Sequence, residues 1–567
     1  MRKILLLLLI LNTVLADAQK EASVWCFGEG AGIDFNNTSP VAIKSAINTL
    51  EGCSGIADKN GQLLFYTDGV TIWNKNHQAM QNGTGLLGLA SSTQSALIIR
   101  KPGSLSIYYV FTADGTSNAL NHHMENGYRY SIVDMNLNGG LGDVTAVKNV
   151  LLYAPSTEKL AAVKQADGVN IWLVTHEWNS SKFRVYSITC DGIDTNAVVS
   201  DVGVMHEYNP GLYYEVIGQM KCSPDGKRLA VVNQGKQRVQ VFDFNNTNGI
   251  ISKPINILSY YIDQYVQPDN NMYDFENVYG VEFSPNSKVL YLSCIGSEKM
   301  FQYDLTPNTS VGISATGVYY PLSPWCISNG GVSFCPGSNG GLQLGPDGKI
   351  YMAYRSFQGL NVVEDPNTHG PFCNFKKSIP LNGVSSYGLP TFLASYFDEG
   401  IFQVKQDCKT VFVSTKYGSD ITYRWDFGDH DNKIINSANA SYTYSKPGKY
   451  PIRLILSSSK GCSDTLQQMV EIPSCVSPED LDQIKIPNVF TPNGDGVNDV
   501  FSIQGLEKFT DNEITIFDRW GKECFHQRDY NEKNVFSGSN CNDGVYYYIV
   551  NVPSVNFNRH GFVTIVR

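Results

Sequence analysis

Three segments of the sequence repeat one pattern at a fixed interval. They read CSPDGKRLAVV from Cys222, FSPNSKVLYLS from Phe283 and LGPDGKIYMAY from Leu344, and their prolines lie at 224, 285 and 346, two equal steps of 61 residues. In each segment an apolar strand enters a Pro-Asx turn and is followed by a second, alternating strand. Antiparallel units that recur at a fixed period are typical of a β-propeller, in which each repeat forms one blade.

Weaker copies of the pattern extend towards the N-terminus, and a last copy begins at Tyr387. The predicted innermost strands begin near residues 53, 95, 160, 217, 279, 341 and 387. We therefore expect seven blades, with six as the alternative. The strand SVWCFG from Ser23 is expected to complete the last blade and close the ring, because an unpaired edge would invite aggregation. The content of 32 Tyr and 51 Gly, with only 17% charged residues, favours an all-β chain of short strands and Gly turns.

Residues 1–18 have the pattern of a signal peptide. Arg2 and Lys3 precede the apolar run ILLLLLILNTVLA, and Ala16-Asp17-Ala18 is a small-x-small cleavage pattern. We expect the mature chain to begin at Gln19. A membrane anchor is the alternative, but the run is short for a span and no later segment reaches 18 uninterrupted apolar residues. The mature chain is thus predicted to have no transmembrane span.

The net charge and the cysteine content indicate which binding partners and which cellular compartment to expect. The formal net charge is −10 and no cluster of Lys and Arg stands out, which argues against nucleic acid as a partner. Thirteen cysteines in an exported chain indicate disulfides, with at least one cysteine unpaired. Cys326 and Cys335 enclose a short loop, and a pairing of Cys408 with Cys462 would staple one small domain. The sequence has no C-x-x-C pair, so a zinc ribbon is not expected.

Polar residues precede several of the predicted innermost strands, where the strands of a propeller converge on one mouth of the channel. The candidate ligand-binding residues are Glu51, Gln94, Glu158, Glu215 and Glu276. One interpretation is that they cap loops and bond exposed backbone. The other is an acidic mouth that binds a cation or sugar hydroxyls. His122-His123, His176 and His206 lack the spacing of a helical zinc site and are interpreted as loop histidines with satisfied hydrogen bonds.

The sequence shows none of the common enzyme motifs, and no catalytic residue is predicted. There is no G-x-S-x-G elbow and no P-loop. A sialidase-like propeller would need arginines at the channel mouth to clamp a carboxylate, and the residues that precede the inner strands include none. The leading prediction is an exported surface or secreted binding or adhesion protein with a glycan or protein ligand. The alternatives are a propeller-type glycan hydrolase or lyase, and a structural part of an envelope or motility assembly.

The stretch from Ile421 to Thr465 has the pattern of a small β-sandwich around one tryptophan. Trp425 and Phe427 alternate with polar residues before a turn, and a G-x-Y strand follows. This stretch resembles a PKD domain, whose W-D-F-G-D-G motif it matches except that His430 stands at the final glycine. The resemblance implies an Ig-like spacer or binding module without catalytic residues.

Four motifs close the chain: PNVFTPNGDGVNDVF, ITIFDRWGKECF, NDGVYYYIV and GFVTIVR. Together, from Ile484 to Arg567, they resemble the gliding-motility-associated C-terminal domain of Bacteroidetes proteins, the type B signal of type IX secretion. Phe536-Ser537-Gly538 stands where the family has W-x-G. The resemblance implies passage through the periplasm to the cell surface or medium, with the type IX machinery as a partner. The propeller region is similar to the region often joined to this domain.

Two kinds of site are predicted within the C-terminal domain. Asn493, Asp495 and Asp499 offer oxygen ligands for calcium, which is the candidate cofactor. The alternative is an Asx-rich turn that bonds its own backbone. The candidates for recognition are the Asn493–Asp499 turn, Arg519-Trp520-Gly521 and Asp543-Gly544, with Trp520 expected in the core. The predicted domains are a signal peptide (1–18), a propeller (19–398), a PKD-like sandwich (399–476) and a C-terminal sorting sandwich (477–567).

Overall fold

The computed structural model describes residues 19–115, 124–207, 214–258, 277–295, 299–321, 327–329, 332–334, 338–398, 402–418, 421–429, 434–459, 461–473, 481–509 and 511–567. The predicted signal peptide, His122-His123, Glu276, Cys326 and Cys335 lie outside these residues. The chain divides into two compact units. The first comprises Met1–Gln403, Val413–Ala440 and Pro451–Met469, and the second comprises Val404–Phe412, Ser441–Tyr450 and Val470–Arg567.

The N-terminal region is a β-propeller made of antiparallel sheets that follow one another along the chain. Its first strands are β1 (Val24–Phe27), β2 (Glu29–Asp34) and β3 (Val41–Asn48). The next sheet holds β4 (Ser54–Ala57), β5 (Leu63–Thr67), β6 (Thr71–Asn74) and β7 (Ala79–Thr84). The third holds β8 (Ala96–Arg100), β9 (Ile107–Ala113), β10 (Tyr128–Asp134), β11 (Asp143–Val144) and β12 (Val150–Tyr153). The fourth holds β13 (Ser156–Lys164), β14 (Ile171–Glu177), β15 (Ser180–Thr189), β16 (Gly192–Ile193) and β17 (Val198–His206).

The later sheets coincide with the 61-residue repeat. One holds β18 (Met220–Cys222), β19 (Arg228–Asn233), β20 (Arg238–Asn245) and β21 (Ile250–Ile257). The next holds β22 (Val278–Phe283), β23 (Val289–Cys294), β24 (Lys299–Asp304) and β25 (Val318–Pro321), and a small hairpin of β26 (Ile327–Asn329) and β27 (Val332–Phe334) follows. The last holds β28 (Asn339–Leu344), β29 (Ile350–Tyr354), β30 (Phe357–Val363) and β31 (Phe375–Ser385), and it is joined through β2 to β1 and β3.

The repeat has a local cause in its turn chemistry. In the first copy Ser223 donates its hydroxyl to Asp225, and the backbone N–H groups of Lys227 and Arg228 return to these two side chains. Ser284 and Asn286 repeat the arrangement at the β22–β23 turn. Short polar side chains that bond the backbone fix such tight turns. The predicted hairpins are therefore confirmed at these positions.

The innermost strands are buried along almost their whole length, because they pack between two neighbouring sheets. β4, β8, β13, β18, β22 and β28 contact one another in that order. The ring closes through Tyr387, whose N–H donates to the Leu50 carbonyl at 2.9 Å and whose carbonyl accepts from the Gly341 N–H at 2.7 Å. These strands begin within a few residues of the predicted positions, and β1 joins the closing sheet as expected. The count of seven blades stays a prediction.

The residues that follow the propeller in the sequence form the predicted Ig-like sandwich. One sheet has the order β32 (Phe402–Asp407), β33 (Thr410–Thr415) and β36 (Asn439–Thr443). The other has the order β35 (Ile434–Ile435), β34 (Ile421–Asp426), β37 (Gly448–Ser458) and β38 (Ser463–Ile472). Trp425 is fully buried and donates its indole N–H to the Ser437 carbonyl at 2.8 Å, which satisfies the one polar atom of the ring.

The C-terminal domain is built on one five-stranded sheet. Its strands are β39 (Val489–Phe490), β40 (Glu513–Phe517), β41 (Glu523–Arg528), β42 (Gly544–Val552) and β43 (Phe557–Ile565), in the order β39-β43-β42-β40-β41. Phe501, Tyr530 and Phe536 pack on one face of the sheet. Tyr530 donates its hydroxyl to the Phe501 carbonyl and accepts from the Phe536 N–H. Phe536, which takes the place of the family tryptophan, therefore fills the core.

Helices are few and short among the described residues. The α-helix α1 spans Ser310–Ser314. The 3-10 turns are Lys20–Ala22, Asn138–Gly140, Tyr214–Val216, Pro371–Cys373, Ala394–Phe397, Leu506–Lys508 and Pro553–Val555. Within the described part of the chain, no helix has the length and apolar character that crossing a membrane requires.

The structure corrects the predicted cysteine pairing. Cys462 forms a disulfide with Cys190, 272 residues earlier in the chain, with the two Cα atoms 5.5 Å apart. The predicted Cys408–Cys462 bridge is therefore wrong, although Cys408 is itself disulfide-bonded. Spacing could not reveal this pairing, because Cys190 ends a propeller strand and Cys462 lies in the β37–β38 turn. Both cysteines belong to the first compact unit.

Candidate functional site

The site is built where the innermost propeller strands begin. Glu51 lies three residues before β4, and Thr93 lies three residues before β8. Glu158 is the third residue of β13, and Tyr279 is the second residue of β22. Because these strands all start at the same end of the channel, their first residues lie together there, with Thr93, Glu158 and Tyr279 buried and Glu51 and Tyr387 half-buried. We call the set Glu51, Thr93, Glu158, Tyr279 and Tyr387 the channel mouth.

Glu51 is the half-buried carboxyl of the channel mouth. The Tyr279 hydroxyl donates to its Oε2 at 3.3 Å. Burial, and then the nearby Glu158 carboxylate, raise the pKa of Glu51 well above its ordinary value, while the Tyr279 hydrogen bond and Arg355 oppose the shift. Loss of water and a like charge both disfavour the ionised form. Glu51 therefore keeps its proton to a higher pH than an ordinary glutamate.

Glu158 is fully buried and is held by Thr93. The backbone N–H and the hydroxyl of Thr93 donate to Glu158 Oε2 at 2.9 and 2.8 Å. Thr93 Oγ1 also accepts from the Gly218 N–H at 3.2 Å, and Thr93 bonds the Tyr279 side chain. Donors that converge on a carboxylate favour its charged form. A hydrogen-bonded row thus runs from Glu51 through Tyr279 and Thr93 to Glu158.

Behind this row lies the buried amine of Lys159. Its Nζ donates to the carbonyls of Val216 and Ile217 at 2.6 and 3.0 Å. Burial lowers the pKa of Lys159 to about 7, against the opposing effect of Glu158 and Glu215. Desolvation disfavours an ammonium ion, so the charge of this group changes near neutral pH.

Glu215 belongs to a neighbouring cluster rather than to the hydrogen-bonded row. Its Oε2 accepts from the Glu207 N–H at 2.7 Å and lies 3.5 Å from the Lys236 amine. Glu276 lies outside the described residues, so its position in a mouth stays a prediction.

Gln94 lies deeper, inside the channel, where it joins two other blades. Its amide nitrogen donates to the carbonyls of Leu160 and Met220 at 2.8 and 3.1 Å, and its oxygen accepts from the Met220 N–H at 2.8 Å. Gln219 makes the same kind of link, accepting from the N–H groups of Val281 and Leu342. Two glutamines therefore tie the inner strands together across the channel.

We expect Gln94→Ala to lower the free energy of unfolding by roughly 3 kcal/mol, because each of three buried backbone groups left without a partner costs about 1 kcal/mol or more. Urea unfolding of the full-length protein, followed by tryptophan fluorescence, measures the change. The exposed Gln358→Ala is the control and should leave the transition in place. A Gln94→Ala protein as stable as its parent would contradict this assignment.

Sequence reasoning missed an arginine at the mouth. Arg355 donates from Nη1 to the Tyr387 hydroxyl at 2.9 Å, and its guanidinium lies 4.9 Å from the centroid of the Tyr387 ring. It directly follows β29, whose last residue Tyr354 pairs with Asn339 at the start of β28. The position of Arg355 could have been inferred from the sequence, because in an antiparallel blade the end of the second strand lies beside the start of the first.

Of the four histidines singled out in the sequence, the two that the structure describes, His176 and His206, form a buried pair. The rings of His176 and His206 lie 4.1 Å apart between centroids, and the His176 ring is hydrogen-bonded to the Glu177 carbonyl at 2.8 Å. Burial, followed by the charge of Lys159, lowers the pKa of His176 to about 3, so the ring is neutral at physiological pH. Among the described residues, no group of three or more His, Cys, Asp or Glu side chains is placed to hold a metal ion.

In the C-terminal domain the Asn493–Asp499 turn bonds its own backbone. The two carboxylate oxygens of Asp499 accept from the N–H groups of Gly494 and Gly496 at 2.7 and 2.8 Å. Asn493 accepts from the Asp495 N–H, and Asp495 accepts from the Val497 N–H. These are the bonds of an Asx-rich turn. Calcium binding at Asn493, Asp495 and Asp499 stays a prediction.

The other two candidate recognition features differ in exposure. Trp520 is 84% exposed, so the expectation that it lies in the core is wrong. The Arg519 guanidinium lies 5.8 Å from the Trp520 ring, and Gly521 adopts a positive φ of 79° in the turn. Asp543, by contrast, is bonded to Arg567 at 2.7 Å, beside Gly544.

The comparisons with known proteins agree with these domains. Residues 484–565 match the CHU_C type IX secretion signal domain, and residues 403–473 match the PKD domain. No curated protein matches the sequence. The PKD1 domain from the Vibrio cholerae metalloprotease PrtV is 31% identical, covering 12% of this chain and 90% of its own, with a TM-score of 0.11.

Two further solved structures align with much of the chain at low identity. The periplasmic gluconolactonase PpgL of Pseudomonas aeruginosa is 12% identical and covers 80% of this chain and 100% of its own, with a TM-score of 0.34. A protein from Lactobacillus plantarum is 13% identical and covers 74% of this chain and 96% of its own, with a TM-score of 0.34. Similarity at this level carries no information on activity.

The C-terminal match decides where the protein is delivered. A type IX secretion signal directs export to the cell surface or the extracellular space, and it implies contact with the type IX secretion machinery. The chain is therefore an exported protein in which a β-propeller and a PKD domain precede a CHU_C type IX secretion signal domain.

Proposed function

We propose that this exported protein is an adhesion protein whose propeller binds a glycan at the channel mouth. The observation that carries the proposal is the hydrogen-bonded row from Glu51 to Glu158. The Glu51 carboxyl, whose pKa is raised by burial and by the nearby Glu158, can both donate and accept hydrogen bonds with a sugar hydroxyl while it is protonated. The half-buried Tyr387 adds a ring against which a sugar can pack, and Arg355 adds donors.

A glycan array with the full-length secreted protein tests the proposal. Glu51→Ala should weaken binding about tenfold, because one or two hydrogen bonds in a desolvated site are lost. Glu364→Ala, which removes an acidic side chain paired with Lys349, is the control and should bind as the parent does. Binding that is unchanged in Glu51→Ala, or a protein ligand captured away from the mouth, would contradict the proposal.

Binding should also depend on pH through Glu51. As the pH rises through the raised pKa of Glu51, the carboxyl loses its proton beside Glu158, which removes a donor and adds a like charge. We therefore expect affinity to fall with rising pH in the parent. Glu51→Gln, which stays neutral, should bind with little dependence on pH over the same range. Titration calorimetry with the glycan selected on the array measures both.

The second candidate is a propeller-type glycan hydrolase or lyase. It is favoured by the different environments of the two carboxyl groups, since burial and Glu158 raise the pKa of Glu51 while Thr93 donates hydrogen bonds to Glu158. Such a pair can supply an acid and a base. Release of reducing ends or unsaturated sugars from a polysaccharide panel, lost in Glu51→Gln while binding is retained, would favour the enzyme.

A further inference from the structure

The C-terminal sheet has one face in the domain core and one open face. Along β42 the side chains of Tyr546 and Val550 are buried, whereas those of Val545, Tyr547 and Ile549 are exposed. An antiparallel sheet with one solvated face normally carries polar residues on that face. Here the open face carries apolar side chains along β42, although polar residues such as Glu513 and Thr515 share that face on β40. Contiguous exposed apolar surface marks an interaction site.

The exposed apolar residues of three strands form one patch. Tyr547 lies opposite Phe562 of β43 on one side and Phe517 of β40 on the other. Tyr547 and Phe562 are each 52% exposed. The turn that follows Phe517 carries Trp520, the most exposed large aromatic residue of this domain. We call Phe517, Trp520, Val545, Tyr547 and Phe562 the aromatic face.

The turn that presents Trp520 has a defined conformation. The Asp518 carboxylate accepts from the N–H groups of Trp520 and Lys522 at 2.8 and 2.9 Å, and the Gly521 N–H donates to the Asp518 carbonyl at 3.0 Å. An Asx turn of this kind holds its backbone without help from its outward side chains. The conformation of the turn therefore keeps the Trp520 side chain exposed.

The other two candidate recognition features of the domain are engaged in internal hydrogen bonds. The carboxylates of the Asn493–Asp499 turn accept from their own backbone, and Asp543 is bonded to Arg567. The aromatic face contributes little to the core, because its side chains point away from the buried face of the sheet. A secretion signal acts through contact with its export machinery, so this domain needs a surface that the machinery can bind.

We propose that the aromatic face is the surface through which the type IX secretion machinery binds this domain, and that the partner offers an apolar groove that accepts aromatic side chains. The proposal rests on the secretion role of residues 484–565. Aromatic residues at the centre of a contact supply most of the binding energy. A second copy of the chain is the competing occupant.

Secretion of the full-length protein in a type IX-competent bacterium tests the surface. Trp520→Ala and the double variant Tyr547→Thr with Phe562→Thr should each reduce the secreted fraction about tenfold, as loss of an interface anchor does, with the protein retained in the periplasm. Glu507→Ala is the control, because Glu507 is exposed in the same domain and lies in the 3-10 turn Leu506–Lys508, off the sheet and outside the candidate recognition features. It should be secreted as the parent is.

Folding is measured separately on the retained proteins. The aromatic variants should melt at the temperature of the parent, because the altered side chains are exposed. Normal secretion of both aromatic variants would overturn the proposal. The secretion role itself is tested separately by truncation at residue 476, which removes the whole domain. The two experiments therefore distinguish failure of the surface proposal from failure of the secretion role.

A photo-crosslinker identifies the occupant. Benzoylphenylalanine replacing Trp520 in the full-length chain should crosslink to an outer-membrane component of the type IX machinery, and the same probe replacing the exposed Glu507 should not. Crosslinking only to a second copy of this chain, or none to the machinery, would overturn the assignment.

Discussion

A protein that ends at residue 476 should accumulate in the periplasm, and none should appear on the cell surface or in the medium. The predicted N-terminal signal provides passage across the inner membrane only. Residues 484–565 match the type IX secretion signal domain, so their removal takes away the instruction for the second crossing. Cell fractionation in a type IX-competent bacterium, with immunodetection of the propeller, measures the distribution.

The reciprocal fusion shows whether the domain is sufficient. Residues 477–567 placed behind a signal peptide and a fluorescent reporter should carry the reporter to the surface or medium. The domain has its own apolar core around Phe490, Phe501 and Ile516, so we expect it to fold in the fusion. The same reporter without these residues is the control. Export of the truncated protein at the level of the full chain would refute the sorting role.

The second large effect is expected from Asp464→Ala. Asp464 accepts from Arg100 and from Lys164, both at 2.8 Å, and the Lys164 and Asp464 side chains are only 6% and 13% exposed. Removing the carboxylate takes the ion-pair partner from the buried Lys164 and from the partly exposed Arg100, which costs about 3–5 kcal/mol. We expect chemical unfolding of the first compact unit to shift by this amount. Glu471→Ala, which breaks the exposed pair with Lys449, should change stability little.

The effect of Asp464→Ala should depend on pH. Burial acts to raise the pKa of Asp464, but Lys164 and Arg100 outweigh it and hold the pKa below its ordinary value. A carboxylate whose folded pKa is depressed stabilises the protein above its unfolded pKa, and this contribution is lost as the pH falls through the folded pKa. The difference between parent and variant should be full at neutral pH and shrink below about pH 4. A difference that stayed constant with pH would contradict the ion-pair explanation.

Much of the fold could be predicted because its causes are local. The turn between β18 and β19 is closed by Ser223 and Asp225, which are two residues apart in the sequence, so the repeat of that turn locates the hairpins. The same holds for the buried Trp425 of the sandwich. The candidate site was predictable only in part, since Glu51 and Glu158 lie at the mouth whereas Gln94 bonds Leu160 and Met220 inside the channel.

The sequence by itself determined the class of each domain and the destination of the protein, because strand periodicity, turn residues and the C-terminal motifs are properties of short segments. The tertiary structure alone decided which distant residues meet. Cys190 reaches Cys462 across 272 residues, and Arg355 reaches the mouth from the end of a second strand. It also decided that Trp520 faces outwards, because the side of a sheet that becomes core depends on which segments pack against it.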